Sequence, residues 1–303
     1  MFHHFHNKKN KQTGQGSLNP KNFKKILVFL KSNYKILSPQ KWLIKLKEGK
    51  LEKKDICLTF DDALLSQYTI ALKILDKFKI KAFWFVYSSI FNGKIDEFEI
   101  HRKFRTTYYK DFYNFYSDFI KNFKEEHKFV KNKEFQNFNK YMRNYYPIYS
   151  KEDIKFRFIR DKILSKDQYN VILKKMMRKK STNEKKLSKK LWLNNKHLIN
   201  LDKKGHIIGM HAFNHPYKLS ELNYINQKNE LNKNYQHLKK TLKKKPISIS
   251  YPNGSFNNHT VQIIKKLGIE CAFISSMKNN RQFQKKYVLK RLDHSIILNN
   301  LIK

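Results

Sequence analysis

Thiols are nearly absent from this sequence: Cys57 and Cys271 are its only cysteines, and each sits in an apolar stretch. There is no CxxC pair, so both are expected as small buried hydrophobes rather than as a thiolate metal site or a disulfide. Glycine is scarce as well. Eight glycines in 303 residues leave no Walker or Rossmann phosphate loop, and no GxSxG nucleophile elbow occurs. Long hydrophobic runs are missing too, since nothing approaches the ~18 apolar residues that span a bilayer. The apolar run Ile26 to Leu30 ends at Lys31 and is too short for a signal-peptide core of about 7–15 residues. A cytoplasmic location is therefore expected. Specific nucleic-acid recognition is not, because no RNP-type or GXXG-type motif is present.

Acidic residues are outnumbered 24 to 65 by lysine and arginine, a formal balance of +41. A surface of that sign attracts polyanions and anionic lipid, so a peripheral contact with an anionic membrane is one partner it suits. The excess is mainly lysine and is spread along an asparagine-rich chain, as AT-rich codon usage also produces. Hydrophobic residues at 40% and aromatics at 15% are too many for a wholly disordered chain. The length suffices for one α/β barrel or two smaller domains.

Residues 1–19 are polar, lack apolar period, and are expected as a disordered basic tail; His3, His4 and His6 fall in it, a cluster that reads as solvated residues with loose metal binding as the alternative. Residues 20–95 begin an α/β pattern. Helix is predicted over 21–50, with Ser38 as a cap and Pro39 at the first helical position. Asp55 to Phe60 is a short apolar run suited to a strand buried on both faces. A helix follows over 66–78 and a strand over 81–87, a β-α-β unit that implies a parallel sheet. Residues 96–200 break the rhythm: they are rich in Phe, Tyr, Lys and Asn, with helical spacing in Phe112, Phe115, Tyr116 and Phe119. This segment is expected as a helical insertion with an aromatic core, or as a lid whose aromatics line a sugar cleft. Residues 201–303 resume the pattern. Strands are expected at 206–210, 246–251, 272–275 and 287–292, and helices over 220–242 and up to Leu267, where Gly268 ends the last.

Functional groups in parallel sheets lie at the carboxyl ends of strands. Asp61 and Asp62 lie at that end of the first strand. Successive strand residues face opposite ways, so both reach one cavity only if the strand stops in a turn there. His211 and His215 follow the strand at 206–210. One helical turn would put both on a single face and let them chelate an ion, although Pro216 disfavours helix at His215. Two imidazoles and two carboxylates can supply a divalent-metal site with one carboxylate left as a base.

These residues resemble the motifs of the polysaccharide deacetylases, the carbohydrate esterase family 4 or NodB-homology group. The first motif, TFDD followed by glycine, stands here as Thr59-Phe60-Asp61-Asp62-Ala63. The second, His-Ser/Thr-x-x-His-Pro, stands as His211-Ala212-Phe213-Asn214-His215-Pro216. The third, Arg-x-Pro-Tyr-Gly, is altered to Ser250-Tyr251-Pro252-Asn253-Gly254, and a late Leu-x-His matches Leu292-Asp293-His294. The likeness covers about residues 50–95 and 203–295 and leaves the insertion unexplained.

The resemblance implies a distorted (β/α) barrel of the NodB type carrying a large helical insertion. It implies hydrolysis of N-acetyl groups on a sugar of a glycan or surface-polysaccharide precursor. Asp61 would be the base and His294 the acid. Asp62, His211 and His215 would hold a divalent metal, zinc by default, with Co2+, Ni2+ or Mn2+ also suited. Tyr251, Pro252 and Asn253 would form the oxyanion and substrate turn, through the amide of Asn253. Two departures bear on this. Ala63 replaces a glycine, and Ser250 replaces the arginine that orients the base, leaving Arg291, Arg102 and Arg105 as candidate substitutes. The other readings are hydrolysis of a non-sugar amide and a catalytically weak, basic polyanion-binding protein.

Overall fold

The computed structural model describes residues 1–8, 14, 16–123, 133–145, 149–275 and 283–302. Two helices open the fold. α1 (Pro20–Asn33) and α2 (Pro39–Lys47) are capped by the side chains of Asn19 and Ser38, and proline opens each, where its missing N–H costs nothing. Between them β1 (Lys35–Ile36) pairs in parallel with β2 (Asp55–Ile56). The single strand expected at 55–60 thus changes partner at Cys57. Its second half, β3 (Leu58–Phe60), joins the main sheet, a switch that an unbroken apolar run does not reveal.

A π-helical turn at Gln67–Ala71 leads into α3 (Leu72–Phe78), then comes β4 (Ala82–Val86). Among the described residues, six α-helices follow: α4 (Glu97–Tyr108), α5 (Phe112–Phe123), α6 (Lys133–Tyr145), α7 (Lys151–Phe158), α8 (Lys166–Lys179) and α9 (Glu184–Ser188). The α/β alternation then resumes with α10 (Asn195–Lys203), β5 (Ile207–Met210), α11 (Tyr224–Leu242), β6 (Ser248–Ser250), α12 (Asn258–Lys266), β7 (Cys271–Phe273) and α13 (His294–Ile302). Gly268, with φ 76°, follows α12 in the left-handed conformation.

The main sheet has the order β3-β4-β5-β6-β7, and every neighbouring pair is parallel. It is the curled half-barrel of the distorted (β/α) type. β4 shows why its strands are short apolar runs. All five of its residues are buried. Ala82, Trp84 and Val86 enter one apolar cluster with Leu58, Phe60 and Ile249, while Phe83 and Phe85 enter another with Trp42, Cys271 and Phe273. Alternation along a strand thus feeds two cores, one on each face. Phe60 stacks on its register partner Trp84 at 4.5 Å, worth about 0.5–1.5 kcal/mol beyond burial. Both cysteines are free; Cys271 is buried and Cys57 partly so.

The chain divides into two compact units. Residues 1–7, 18–94 and 190–303 form the half-barrel, and residues 8–17 and 95–189 the insertion. Three expectations are corrected here. Residues 190–200, assigned to the insertion, belong with the half-barrel, where α10 packs on β5 and Trp192 bridges Leu64. The segment at 287–292 is not a strand. It follows a 3-10 turn at Lys285–Tyr287 and meets the sheet through a single bridge from Leu289 to Phe273. Finally, the N-terminus is no solvated tail. Phe2 and Phe5 are 1% exposed, Phe2 forms a parallel bridge with Phe60, and Phe5 forms one with Leu18. The open edge of β3 supplies backbone partners that local sequence cannot show. Residues 9–13 and 15 of the expected tail lie outside the described residues.

In the insertion, Phe115, Phe119 and Phe156 are buried at 0–1% exposure and pack edge to face, with the Arg105 guanidinium 5.2–5.8 Å from the rings of Phe112, Phe115 and Phe156. These aromatics are spent on the unit's own core. Among the described residues no helix is long and apolar enough to cross a membrane.

Candidate active site

β3 ends at Phe60, and the next residues turn sharply. Asp62 has φ 76° and Ala63 φ 53°. Aspartate visits the left-handed region readily; alanine pays about 1–2 kcal/mol there. The residue that replaces the motif's glycine therefore keeps the turn at some cost. Ala63 is held by burial and by its carbonyl, which accepts from the Leu193 amide at 2.8 Å. The turn resolves the alternation problem, because both carboxylates now approach the end of β5.

His211 follows β5, but the segment to His215 is not helical. Ala212 has φ 60° and His215 φ 52°. Two left-handed residues fold the chain back and bring the rings to 4.7 Å between centroids. The expected helical turn is thus replaced by a tighter loop, in keeping with Pro216. Glu230 of α11 secures it, accepting from the amides of Phe213 and Asn214 at 3.1 and 2.7 Å.

Asp62 Oδ1 lies 3.4 Å from His211 Nε2 and 3.5 Å from His215 Nε2. Donor atoms of the three residues all fall within 4.8 Å of one another. The set fits a divalent ion: ligands at about 2.0–2.1 Å around a tetrahedral zinc sit about 3.3 Å apart. The ring of His211 is oriented as a ligand should be. Its Nδ1 lies 2.7 Å from the Ser250 carbonyl, which assigns Nδ1 as the donor and turns Nε2 toward Asp62. Asn234 of α11 fixes the backbone below, accepting from the His211 amide at 2.9 Å and donating to the Val86 carbonyl at 3.0 Å. Burial pushes the Asp62 carboxyl up, but the hydrogen bond to His211 and the charges of His215 and His3 outweigh it and hold it well below the usual carboxylate range.

Asp61 has separate partners. It is 2% exposed, and Arg291 grips it in a fork, with Nη1 to Oδ1 at 2.8 Å and Nη2 to Oδ2 at 2.7 Å. Arg291 also donates to Ser250 Oγ at 2.7 Å, Thr59 Oγ1 at 3.2 Å and the Ile274 carbonyl at 3.1 Å. Ser250 Oγ in turn donates to Asp61 Oδ2 at 3.2 Å. Of the three candidate arginines, Arg291 supplies the cation missing at 250. Burial alone would raise the Asp61 carboxyl; the charges of Arg291 and His211 overcome it and bring it to about 2. Asp61 is thus an ionised carboxylate, 4.0 Å from His211 Nε2.

The turn after β6 holds Tyr251, Pro252 and Asn253. Tyr251 is fully buried, its hydroxyl donates to the Tyr287 carbonyl at 3.2 Å, its ring stacks on Phe256, and its amide donates to the Phe273 carbonyl. Its side chain packs into the core directly after β6. Pro252 has no N–H. Asn253, in the left-handed region at φ 52°, carries the turn's candidate donor amide. Gly254 is needed beside it: φ is 68°, and a Cβ would meet Ser275 Oγ at 2.6 Å. His294 opens α13, 4% exposed, with its ring stacked on Phe2 at 5.6 Å and its Nδ1 3.7 Å from Asp293.

One site residue was missed. The N-terminal segment runs beside β3, with Phe2 donating to the Thr59 carbonyl and accepting from the Asp61 amide. It carries His3 to 3.9 Å from Asp61 Oδ2 and 4.0 Å from Asp293 Oδ2. The only hint in the sequence was the pair Phe2 and Phe5 in an otherwise polar stretch.

A family model described as polysaccharide deacetylase matches residues 48–105 and 139–272. No curated protein matches the chain. Among solved structures, the chain is similar to the deacetylase PplD of Streptococcus pyogenes, with a TM-score of 0.58 at 17% identity over 99% of this chain and 94% of that one. It is similar to a de-N-acetylase from Aggregatibacter actinomycetemcomitans, with a TM-score of 0.56 at 12% identity over 96% and 92%. IcaB from Ammonifex degensii gives a TM-score of 0.53 at 13% identity over 90% and 81%. At such identities these likenesses concern the fold.

Proposed function

Because the chain belongs to the polysaccharide deacetylase family, we propose that it is a metal-dependent hydrolase that removes N-acetyl groups from a sugar of a glycan or surface-polysaccharide precursor. One observation carries the reading. Two adjacent carboxylates have been given different partners: Asp62 lies with His211 and His215, and Asp61 lies in the fork of Arg291. That is the division between a ligand and a base.

Asp62, His211 and His215 would hold the ion, and zinc suits two imidazoles and a carboxylate. Held there, a divalent cation would supply Lewis acidity toward an acetyl carbonyl and toward water. Asp61 accepts the proton of the attacking water. Arg291 keeps that carboxylate ionised and fixes its plane, with Ser250 Oγ bracing both. The Asn253 amide offers a hydrogen bond to charge developing on the carbonyl oxygen, the kind of donor whose loss costs about 10²–10³ in rate. His294 is the imidazole that the motif resemblance assigns to the departing amine. The basic surface, +41 over the chain, suits an acidic glycan or a substrate held at an anionic membrane.

The test is acetate release from N-acetylated oligosaccharides and from small N-acetyl amides, with zinc, cobalt, nickel or manganese added. Release from sugars that disappears in Asp61→Asn supports the reading. Release from small amides alone would move the substrate class, and a fully active Asp61→Asn would overturn the mechanism.

A further inference from the structure

His3 belongs to no motif, yet the fold spends several contacts on placing it. The Phe2 ring stacks on Phe60 at 5.3 Å on one side and on His294 at 5.6 Å on the other. The His3 carbonyl accepts from Gln67 Nε2 at 2.8 Å, and the same Nε2 bonds the Asp61 carbonyl at 2.5 Å. One side chain thus ties residue 3 to residue 61. The His4 carbonyl accepts from the Leu18 amide at 3.0 Å. All these anchors use backbone atoms or neighbouring rings, so the His3 imidazole itself is left to face the site.

There it meets both carboxylates of interest. Nε2 is 3.9 Å from Asp61 Oδ2, the same oxygen that lies 4.0 Å from His211 Nε2, and Nδ1 is 4.0 Å from Asp293 Oδ2. His3 therefore approaches the same oxygen of the base as the ligand histidine does, with the Asp293 carboxylate near its other nitrogen, so that one imidazole lies between two carboxylates. Its side chain is 26% exposed, whereas that of His294 is 5% exposed beneath Phe2. Of the two imidazoles beside Asp293, His3 is the one a substrate can touch.

We propose that His3 is a catalytic residue of this site, the acid that protonates the departing sugar amine. As the carbon–nitrogen bond breaks, its electron pair stays on nitrogen and takes the proton from His3 Nε2. The imidazole is left neutral and regains a proton from solvent, while Asp61 has already taken the proton of the attacking water. The inference rests on the deacetylase reading above.

Leaving-group dependence tests it. An amine must be protonated to leave; a para-nitrophenolate need not be. Wild type, His3→Ala and His3→Gln are loaded with the same metal and assayed on an N-acetylglucosamine oligomer and on para-nitrophenyl acetate. Metal content and thermal midpoint are measured for each protein. Both variants are expected to keep their metal and fold and to lose about 10²–10⁴ in rate on the oligomer while changing less than about threefold on the ester. Equal losses on both substrates, or no loss on the oligomer, would overturn the role of His3 alone. If metal-loaded wild type releases no acetate from the oligomer, the deacetylase reading falls, and the inference with it. Should His3→Ala unfold, His3→Gln carries the test, because the anchoring bonds at residue 3 come from its backbone.

Discussion

Removing Arg291 should do more than slow catalysis. Arg291→Met deletes a guanidinium that makes five side-chain bonds, two of them to the buried Asp61. Asp61 is left with Ser250 Oγ and no cation in its fork. Breaking a buried pair from one side typically costs about 3–5 kcal/mol, because the other charge stays uncompensated. The lowering of the Asp61 carboxyl gives a consistent lower figure. Asp61 sits at about 2 in the fold against an ordinary 3.8, a difference worth about 2 kcal/mol. The sign follows from the direction. A carboxyl lowered by folding contributes stability that is complete above 3.8 and is lost as pH falls toward 2. Urea unfolding at pH 7 is the assay, and a slope of about 3 kcal/mol per molar urea would turn the loss into a midpoint drop of about 1 M or more. Adding Asp61→Asn to Arg291→Met removes the orphaned charge and should recover more than about 1 kcal/mol, although the double variant stays inactive. An Arg291→Met midpoint indistinguishable from wild type, or a double variant no more stable than the single one, would refute the argument.

Gly209→Ala should destabilise the sheet by about 1–3 kcal/mol, since its Cβ would lie 2.5 Å from the Phe85 ring and 2.6 Å from Ser248 Oγ; an unchanged thermal midpoint would contradict this. His206 is buried and neutral, its Nδ1 accepting from the Ala82 amide and from Trp84 Nε1 at 3.1 Å, and burial lowers it from 6.5 to about 4. Stability from that neutral ring is intact above 6.5 and lost as pH falls toward 4, at up to about 1.4 kcal/mol per pH unit, so His206→Gln should flatten the stability profile in that window. Asp61→Asn should retain metal yet lose turnover, whereas Asp62→Ala should lose both; equilibrium dialysis beside acetate release separates them.

What the sequence disclosed and what it hid follow from the range of the interactions. Thr59 to Asp62 and His211 to Pro216 were legible because strands buried on both faces are short apolar runs, and chemistry sits at their carboxyl ends. The local path at each site was less so. The His211–His215 spacing suggested a helical turn, but Ala212 and His215 adopt left-handed backbone instead. The partner of Asp61 was legible only as one of three arginines, because Arg291 is 230 residues away and Arg102 and Arg105 were equal candidates. His3 was hidden for a similar reason. Nothing near it has strand period, and its partner is the edge of β3, which exists only once the sheet has formed. Tyr251 shows the converse: a motif position can be filled by a side chain whose hydroxyl and ring serve the core.

The central claim is that Asp62, His211 and His215 form a metal site. Elemental analysis of purified wild type beside His211→Ala tests it most directly. The account predicts about one divalent ion per chain in wild type and its loss in the variant. Wild type that stays without metal after reconstitution with zinc, or a His211→Ala protein that keeps the ion, would contradict it.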